Sequence, residues 1–330
     1  MSFPPSDHCN GKTFFNPGGR GPHSEWAVLR WKLTSRAARW PDRVTLTPRP
    51  PPPPPAAGIT ATWIGHASFL LQTPHGNFLT DPVFSERASP VTWAGPRRLR
   101  APGIAFADLP RIDGVLLSHD HYDHCDAPTL RRLAATHDPV VLAPLGHADL
   151  MREFGVRRAV DLDWWQTHPW VPGVEIVLTP MQHWCRRVIG GTNRRLWGGG
   201  FGLSMPGARL FFAGDTGFNA GLYDEIAQRL GPPDLALLPI GAYAPRWFMH
   251  PLHQDPAEAV AAPRALGARR SVAMHWGTWQ LTDEPWDEPP RRLAEARAAA
   301  GMKDEEFVAL EPGESIHSGQ KDGDRKPPRT

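Results

Sequence analysis

The feature that most constrains the fold of this chain is a dense group of ionisable residues directly after an apolar segment. Residues 119–124 read His-Asp-His-Tyr-Asp-His, and they follow Arg111–Ser118, whose apolar character predicts a buried strand. Imidazole and carboxylate groups are costly to bury without partners. In the absence of thiolates they are also the ligands that zinc prefers. The sequence therefore favours a metal site at the end of this strand.

Three later apolar segments also end in a histidine or an aspartate. The residues at these ends are His183, Asp215 and His275. One histidine at the end of a strand is usually only hydrogen-bonded, but α/β folds place their sites at the carboxyl ends of strands. Three such ends, added to residues 119–124, predict a dinuclear metal site with ligands drawn from across the core.

Short apolar segments alternate with turn residues from residue 58 onward, which predicts a layered α/β architecture with mixed sheets. Besides Arg111–Ser118, we expect strands at Ile59–Ile64, Ser68–Gln72, Asn77–Thr80, Val140–Ala143, Val160–Trp164, Val174–Thr179, Phe201–Met205, Arg209–Ala213, Asp234–Ile240 and Ser271–Met274. We expect helices at Asp126–His137, Ala220–Leu230, Asp255–Leu266 and Pro290–Ala300. The Asp126 side chain should cap the first of these, with Pro128 in its first turn.

The first 50 residues are basic, with eight Lys or Arg and three Asp or Glu, a net charge of +5. Apolar residues recur there at three- and four-residue spacing, at Trp26, Leu29, Leu33, Ala37 and Trp40. This spacing predicts a short basic amphipathic helix. Its apolar stripe either packs on the body of the protein, as short helices usually require, or contacts a membrane surface. Pro48 and Pro50–Pro55 predict a rigid connector after it.

We therefore expect three parts: a basic arm with its connector over residues 1–57, a catalytic domain over 58–317, and a disordered tail over 318–330. A net charge of +2 over the whole chain is too small for a nucleic-acid coat. Three cysteines cannot form a disulfide scaffold. With no apolar run of about 18–20 residues and no signal-peptide layout, we expect a cytoplasmic location, and leave peripheral contact with the inner membrane face as an open alternative.

The motif His119-x-His121-x-Asp123-His124, followed by the three strand-end residues, resembles the ligand series of the metallo-β-lactamase superfamily of metallohydrolases. The resemblance implies a four-layer αββα sandwich, here with an N-terminal helical arm. It also implies two Zn²⁺ ions per chain, with iron or manganese as alternatives. His119, His121 and His183 would hold the first ion, and Asp123, His124 and His275 the second. Asp215 would bridge the two ions, and Asp123 would also be a catalytic residue.

Further segments resemble the N-acylphosphatidylethanolamine-hydrolysing phospholipase D branch of this family, namely Trp63–Ala67, Leu79–Ser85, Pro239–Met249 and Met274–Thr278. This resemblance implies a zinc-dependent phosphodiesterase that produces N-acylethanolamine and phosphatidate by means of a hydroxide held between the two ions. The substrate would be a phospholipid at a membrane surface. We expect no nucleic-acid partner, and we leave homodimerisation open.

Two other functions are considered. A metal-dependent lactonase or nuclease could use the same fold, although the small net charge counts against a nuclease. A non-catalytic lipid-binding module could also keep the fold, but it would not need a complete set of metal ligands.

Several other residues are candidates for supporting roles. His253 would donate a proton or contact the phosphate, unless it is only a solvated loop histidine. Asp81 would orient a metal-bound histidine, and His66 would do the same unless it is a hydrogen-bonded core residue.

The segment after Ile240 supplies a cation and aromatic rings, at Tyr243, Arg246 and Trp247. Arg246 would bind a lipid phosphate, or else form an internal ion pair while the aromatic residues fill the core. On an alternating backbone Asp120 faces away from the other residues of its cluster. Cys125 and Cys185 lie near metal ligands in sequence, but we expect them to pack rather than to bind the ion pair.

Overall fold

The computed structural model describes residues 3–18, 21–187 and 195–319. Within them, two seven-stranded sheets carry helices on their outer faces. The strands, numbered along the chain, are β1 Ile59–Gly65, β2 Ser68–Thr73, β3 Gly76–Thr80, β4 Gly114–Leu116, β5 Val140–Pro144, β6 Arg158–Leu162, β7 Thr167–Val171, β8 Val174–Pro180, β9 Gly199–Met205, β10 Ala208–Phe212, β11 Leu235–Pro239, β12 Ser271–Met274, β13 Phe307–Val308 and β14 Ser315–Ser318. The first sheet has the order β14-β1-β2-β3-β4-β5-β6, and the second the order β13-β12-β11-β10-β9-β8-β7.

Helices lie between the strands along the chain. They are α1 Glu25–Thr34, α2 Ala127–Thr136, α3 Ala148–Glu153, α4 Ala220–Leu230, α5 Arg246–Met249, α6 Pro256–Leu266 and α7 Glu288–Ala299. Two single 3₁₀ turns occur at Phe106–Asp108 and Asp304–Glu306.

Alternation along the strands creates the layers. On β2, Phe69 and Leu71 belong to the main core, together with Leu178 of the second sheet. Leu70, between them in sequence, points to the other face and joins a second core with Leu130 of α2. Successive side chains of a strand face opposite sides, so each sheet packs on its partner with one face and on helices with the other. The structure confirms the four-layer αββα sandwich.

The strand directions in the second sheet place the carboxyl ends of several strands at the same end of the sheet. Strands β10, β11 and β12 are parallel to one another. Strand β9 is antiparallel to both β8 and β10, so β8 runs in the same direction as β10. The carboxyl ends of β8, β10 and β12 therefore lie at the same end of the sheet, and the residues that follow these strands can meet there.

Some elements differ from the sequence prediction. The strand expected at Arg111–Ser118 is only Gly114–Leu116, because its neighbour β3 ends at Thr80 and Asp81 turns away with a φ of 31°. The strand expected at Val160–Trp164 runs from Arg158 to Leu162 instead. It ends where the Asp163 carboxylate accepts a hydrogen bond from the Trp164 backbone N–H.

The predicted cap of α2 is wrong in its detail. Asp126 occupies the N-cap position, but its side chain makes no capping hydrogen bond to the backbone of the helix. Its carboxylate instead accepts hydrogen bonds from the Ser85 backbone and hydroxyl and from the Thr129 hydroxyl. Asp126 therefore ties the helix start to the loop after β3, while Pro128 does lie in the first turn.

The basic arm is less helical than its apolar spacing predicts. Helix α1 ends at Thr34, so Ala37 and Trp40 lie outside it, and residues 35–57 contain no helix or strand. Trp40 donates from its indole N–H to the Glu284 carbonyl, and the Arg49 backbone N–H donates to the Gly103 carbonyl. The connector therefore runs along the surface of the body and is fastened to it.

Two remaining expectations concern the ends of the chain and the membrane. Ser318, assigned above to the tail, belongs to strand β14, and residues 320–330 lie outside the described part of the chain. Among the described residues, none of the helices has the length and apolar character required to cross a bilayer.

Candidate metal centre

Three imidazoles meet at the carboxyl ends of β4 and β8. His119 and His121 follow β4, and His183 follows β8. The Nε2 atom of His119 lies 3.0 Å from the Nδ1 atom of His121, and the Nε2 atom of His183 lies 3.3 Å from that same Nδ1. The structure thus brings together the three residues expected to hold the first ion.

The hydrogen bonds behind these rings show which nitrogens carry lone pairs. His183 donates from Nδ1 to the Leu252 carbonyl oxygen at 3.1 Å. The Ser118 hydroxyl donates to Asp81, so it accepts from Nδ1 of His119 at 2.9 Å. Nε2 of both rings is therefore unprotonated and faces the third imidazole. A proton on Nδ1 of His121 would pair with only one of these two lone pairs, whereas a cation between the three rings would satisfy both, which is the arrangement of a metal site.

A second group lies beside the first. The Nε2 atoms of His124 and His275 each lie 3.1 Å from Oδ2 of Asp215. The same two nitrogens lie 3.4 and 3.5 Å from Oδ2 of Asp123. The residues expected to hold the second ion are therefore also adjacent to one another.

Asp215 lies between the two groups. In addition to its contacts with His124 and His275, its Oδ2 atom lies 4.0 Å from Nε2 of His119 and 3.8 Å from Nε2 of His183. One carboxylate oxygen is thus within reach of both groups, which is the position that a bridging ligand requires.

The unpaired atoms of this cluster fit a metal better than they fit an ion-free core. The Nε2 atoms of His124 and His275 and Oδ1 of Asp215 are buried without hydrogen-bond partners. Burial, reinforced by the neighbouring histidines, lowers the pKa of His119 well below its usual range and keeps its imidazole neutral. Burial alone would raise the pKa of Asp215, but the charges of His124 and His275 outweigh it and hold the carboxyl ionised. The neutral imidazole of His119 and the ionised carboxylate of Asp215 are the forms that bind a cation, and a bound ion would displace the protons that the carboxylates hold on His124 and His275.

Asp81 supports two of the histidines from behind. Its Oδ2 atom accepts from Nδ1 of His124 at 2.6 Å, which leaves Nε2 of that ring for the site. The same carboxylate accepts from the Ser118 backbone N–H at 2.7 Å and from its hydroxyl, and this hydroxyl contacts His119. Asp81 is fully buried. Its contacts match the orienting role expected for it.

His66 also touches the site directly. Its Nε2 atom lies 2.9 Å from Oδ2 of Asp123. Burial, together with the nearby His275, lowers the pKa of His66 to about 3, so the ring is neutral. Its Nε2–H group donates a hydrogen bond to the Asp123 carboxylate. Both His66 and His275 have left-handed backbone conformations, with φ of 55° and 62°. Such strained turns at strand ends are typical of functional sites.

One glycine allows the two sheets to approach at the site. Gly214, which precedes Asp215, has a φ of 60°. A Cβ atom on it would lie 2.6 Å from Cβ of Ser118. No side chain fits between the strand end that carries Asp215 and the loop that carries His119, which explains the glycine at this position.

A cavity of about 270 Å³ opens directly above the cluster. His121, Asp123, Asp215, His253 and His275 form its polar floor. Its apolar walls come from α1, the loop after β8 and the segment around α5, through Val28, Trp31, Trp184, Phe248, Met249, Leu252 and Leu281. Sequence reasoning missed these wall residues, apart from the aromatic segment around α5, because their apolar character is indistinguishable from that of core residues.

The three residues expected to bind substrate lie outside this cavity wall. Tyr243 is buried and donates to Oε1 of Glu288. Arg246 forms an internal ion pair with Glu258 at 2.8 Å and donates to the His253 carbonyl oxygen. Trp247 is 45% exposed on the outside of α5. The alternative interpretation, an internal ion pair, therefore describes Arg246, and the arginine that lines the cavity is Arg186.

His253 lies at the cavity floor beside the metal-facing histidines. Its ring centroid is 5.1 Å from that of His183 and 5.6 Å from that of His275. Its Nδ1 atom is buried without a hydrogen-bond partner. Burial lowers the pKa of His253 to about 4, so the ring is neutral at neutral pH. The position suits contact with a substrate, and the protonation state suits a hydrogen-bond donor rather than a strong acid.

Comparisons with known proteins agree with this architecture. A family model described as a β-lactamase superfamily domain matches residues 76–276. The chain is 36% identical to N-acyl-phosphatidylethanolamine-hydrolyzing phospholipase D 1 of Caenorhabditis elegans over 323 residues, which cover 92% of this chain and 90% of that protein. It is 32% identical to a metal-dependent hydrolase of Rubrobacter xylanophilus over 271 residues, which cover 79% of this chain and 97% of that protein.

A solved structure supports the fold independently. The isothiocyanate hydrolase from Delia radicum gut bacteria superimposes with a TM-score of 0.64 at 21% identity. The match covers 79% of this chain and all of that one. At this identity the similarity concerns the arrangement of the sheets and helices, and the site must be argued from the residues themselves.

Proposed function

Because the chain is a metal-dependent hydrolase of the metallo-β-lactamase superfamily, in its N-acylphosphatidylethanolamine-hydrolysing phospholipase D-like branch, we propose that it is a zinc-dependent phosphodiesterase. The proposed reaction hydrolyses N-acylphosphatidylethanolamine to N-acylethanolamine and phosphatidate. Two ions would be held by the seven residues described above, with Asp215 between them.

The observation that carries this proposal is the contrast between the floor and the walls of the cavity. The floor is made of imidazoles and carboxylates, and the walls are mainly tryptophan, phenylalanine, methionine, leucine and valine side chains, with a few polar residues such as Glu25, Arg186 and Thr282. A phospholipid has the same division, with an ionic phosphodiester joined to apolar chains. A nucleic acid has no apolar chains to cover these walls, and a small lactone would leave most of them unfilled.

In the reaction, the oxygen of water bonds to phosphorus and the bond from phosphorus to the N-acylethanolamine oxygen breaks. When bound, the two ions would supply activation of the water and draw negative charge from the phosphoryl group. His66 holds Asp123 in place by donating to its Oδ2 atom. His253, neutral at the cavity floor, would donate a hydrogen bond to the phosphoryl group or to the departing oxygen.

Helix α1 would hold the enzyme on the membrane that contains this substrate. Trp26 and Leu33 are 79% and 77% exposed, and Leu29 is 45% exposed. On its other side, Trp31 stacks on Phe248 with ring centroids 4.9 Å apart. The helix thus covers the cavity with one side and presents apolar residues with the other, and basic residues lie close by in sequence. The apolar residues of α1 therefore lie on two opposite sides, so the helix lacks the single apolar stripe predicted from the sequence. Exposed apolar side chains beside basic residues still favour binding to bilayers that contain anionic lipids.

The direct test is release of the headgroup from vesicles that contain N-acylphosphatidylethanolamine. The zinc-loaded enzyme is assayed beside a panel of lactones and single-stranded nucleic acids at equal concentration. We expect N-acylethanolamine and phosphatidate as products, and no comparable turnover of the lactones or the nucleic acids. The matched variant Phe248→Ala, in the apolar wall, should raise KM for the lipid more than it lowers turnover of a short soluble phosphodiester.

Preferential turnover of a lactone or of nucleic acid would overturn the substrate assignment. Release of diacylglycerol instead of phosphatidate would overturn the bond assignment. Binding of the vesicles without hydrolysis by the metal-loaded protein would support the lipid-binding alternative.

A further inference from the structure

A second group of potential ligands lies outside the metal centre. Asp120, His147 and Cys185 offer one ligand atom each, and these atoms all lie within 4.8 Å of one another. All three residues are buried. They come from three separate segments, the loop after β4, the residue before α3 and the loop after β8. The cavity above the metal centre is not lined by any of them.

Two of the donor atoms in this group have no partner. Oδ1 of Asp120 and Nε2 of His147 are buried and make no hydrogen bond. Buried polar atoms are nearly always paired, so each unpaired one needs an explanation. One cation bound between the three residues would satisfy both atoms at once; without it, the Cys185 thiol is the hydrogen-bond donor beside the Asp120 carboxylate.

The remaining atoms of these residues are held from behind, as metal ligands usually are. Nδ1 of His147 donates to the Pro144 carbonyl oxygen at 2.8 Å, which leaves the lone pair on Nε2. Nη1 of Arg195 donates to Oδ2 of Asp120 at 3.1 Å, which leaves Oδ1. Burial lowers the pKa of His147, so its ring is neutral. Hydrogen bonds of this kind fix the orientation of a ligand and its tautomer.

We propose that Asp120, His147 and Cys185 form a third metal position, separate from the dinuclear centre, that binds one thiophilic divalent cation such as Zn²⁺. Thiolate sulfur, imidazole nitrogen and carboxylate oxygen are all zinc ligands. On binding, the Cys185 thiol gives up its proton to solvent and its sulfur bonds to the ion. The thiolate and the Asp120 carboxylate then face the two positive charges of the cation and the guanidinium of Arg195, which leaves the group with a net charge of +1.

The proposed third metal position would have a structural role. Asp120 lies between His119 and His121 in sequence, and Cys185 lies two residues after His183. An ion held by Asp120 and Cys185 therefore joins the two loops that bring together the first three imidazoles of the metal centre. Because the three residues are buried, the position is closed to substrate, as structural zinc sites are. The ion would be acquired during folding.

Cobalt substitution distinguishes this position from the dinuclear centre. The seven residues of the centre include no cysteine, so only a cysteine ligand elsewhere gives thiolate-to-cobalt charge-transfer absorption in the near ultraviolet. The full chain is expressed in zinc-depleted medium with Co²⁺ and its absorption spectrum is recorded. We expect this absorption in the wild type and its loss in Cys185→Ala, together with loss of one metal equivalent per chain.

Two control variants make the test specific. Cys125→Ala removes a thiol that is also buried but is not part of the group, and it should keep the absorption. His119→Ala weakens the dinuclear centre and should also keep it. His147→Gln removes another proposed ligand, so its metal content should also fall by one equivalent per chain. This variant provides a second test if Cys185→Ala does not fold.

Absence of the absorption in the wild-type cobalt protein would overturn the proposal, as would its persistence in Cys185→Ala. In that case the group is a metal-free hydrogen-bonded cluster, in which the Cys185 thiol donates to the Arg195 carbonyl oxygen at 3.6 Å. Neither result depends on which substrate the dinuclear centre hydrolyses.

Discussion

At the scale of single residues, the metal centre is defined as much by the atoms behind the rings as by the atoms in front of them. Ser118, Asp81 and Leu252 each occupy the rear nitrogen of one metal-facing histidine. The tautomer of each of these rings is therefore fixed before any ion binds. Because the lone pairs already converge, binding an ion requires little rearrangement of the protein.

The carboxylate of Asp81 provides a test of this idea. Asp81→Asn keeps the shape of the side chain but removes the charge that holds His124. We expect the affinity for zinc to fall about 10- to 100-fold while the far-ultraviolet circular dichroism stays unchanged. Competition with a chelator measures the affinity. The exposed Asp108→Asn is the control, and an equal loss in both variants would contradict the orienting role.

His253 is predicted to act as a neutral hydrogen-bond donor. Its pKa of about 4, lowered by burial, lies well below neutral pH, so its protonation does not change across the neutral range. We expect His253→Gln to lower kcat about 100-fold, with unchanged metal content and a pH–rate profile of unchanged shape around neutrality. A profile whose alkaline limb vanishes in the variant would instead identify His253 as a titrating general acid.

At the scale of elements, helix α1 lies between the cavity and solvent, on the side proposed to contact the membrane. Val28 and Trp31 line the cavity, while Trp26 and Leu33 point to solvent. Arg30 lies 4.8 Å from the ring centroid of Trp247 on α5, which joins the two helices. Deletion of the arm would therefore damage the cavity as well as the membrane contact, so substitutions on its exposed side are the cleaner experiment.

The double variant Trp26→Ser/Leu33→Ser removes apolar area from this exposed side without touching the cavity wall. We expect about 10-fold or greater weakening of vesicle binding, because each buried apolar side chain contributes about 1.5–3 kcal/mol. Turnover of a soluble phosphodiester should be unchanged. Vesicle co-sedimentation measures the binding. Trp93→Ser, at an equally exposed tryptophan elsewhere, serves as the control, and equal losses in both variants would argue against α1 as the contact.

The segment near the N-terminus is fastened by a histidine whose charge depends on pH. His8 contacts Asp7 at 2.6 Å and Asp163, after β6, at 2.8 Å. Burial lowers the pKa of His8, but the two carboxylates outweigh it and the net shift is upward. The stabilisation is therefore complete below the unfolded-state pKa of about 6.5 and is lost as the pH rises through the higher folded-state pKa.

Asp163→Asn should accordingly lower the melting temperature more at about pH 5 than at about pH 9. Differential scanning calorimetry of both proteins at the two pH values measures this difference. His8→Asn should show the same pH dependence, since it removes the other partner. A loss that is equal at both pH values would mean that the contact is not an ion pair.

Site residues could be predicted from the sequence where ionisable side chains directly follow the apolar pattern of a strand. The metal-facing residues follow apolar strands and carry rare combinations of side chains, so both their position and their type could be predicted. The cavity wall could not, because Trp31 and Leu252 differ from core residues only in what lies opposite them. Strand β7 was missed because Thr167–Val171 is an edge strand with alternate side chains exposed and has no apolar run. The two alternatives for Arg246 could not be separated from the sequence, because its ion-pair partner Glu258 lies on the next helix.

At the scale of the whole molecule, the candidate metal centre lies at the carboxyl ends of strands from both sheets. Its residues come from β4 in the first sheet and from β8, β10 and β12 in the second, through the loops that follow them. Ions held between these loops would join the two halves of the sandwich. Metal binding and the stability of the fold should therefore be coupled.

Chelation should lower the melting temperature, and zinc should restore it. At a free zinc concentration 100 times the Kd, one site that binds only the native state adds about 2.7 kcal/mol to the free energy of unfolding. Thermal unfolding monitored by circular dichroism measures the shift. Magnesium, a hard cation that prefers oxygen ligands, is the control ion. Unfolding that is insensitive to zinc would contradict the coupling.

Anomalous X-ray diffraction at the absorption edge of the bound metal shows whether seven side chains from both sheets hold two neighbouring ions. We expect two peaks about 3.5–4 Å apart, one among His119, His121 and His183 and the other among Asp123, His124 and His275, with Asp215 between them. A single peak there, or none in crystals of the metal-loaded, active protein, would contradict it.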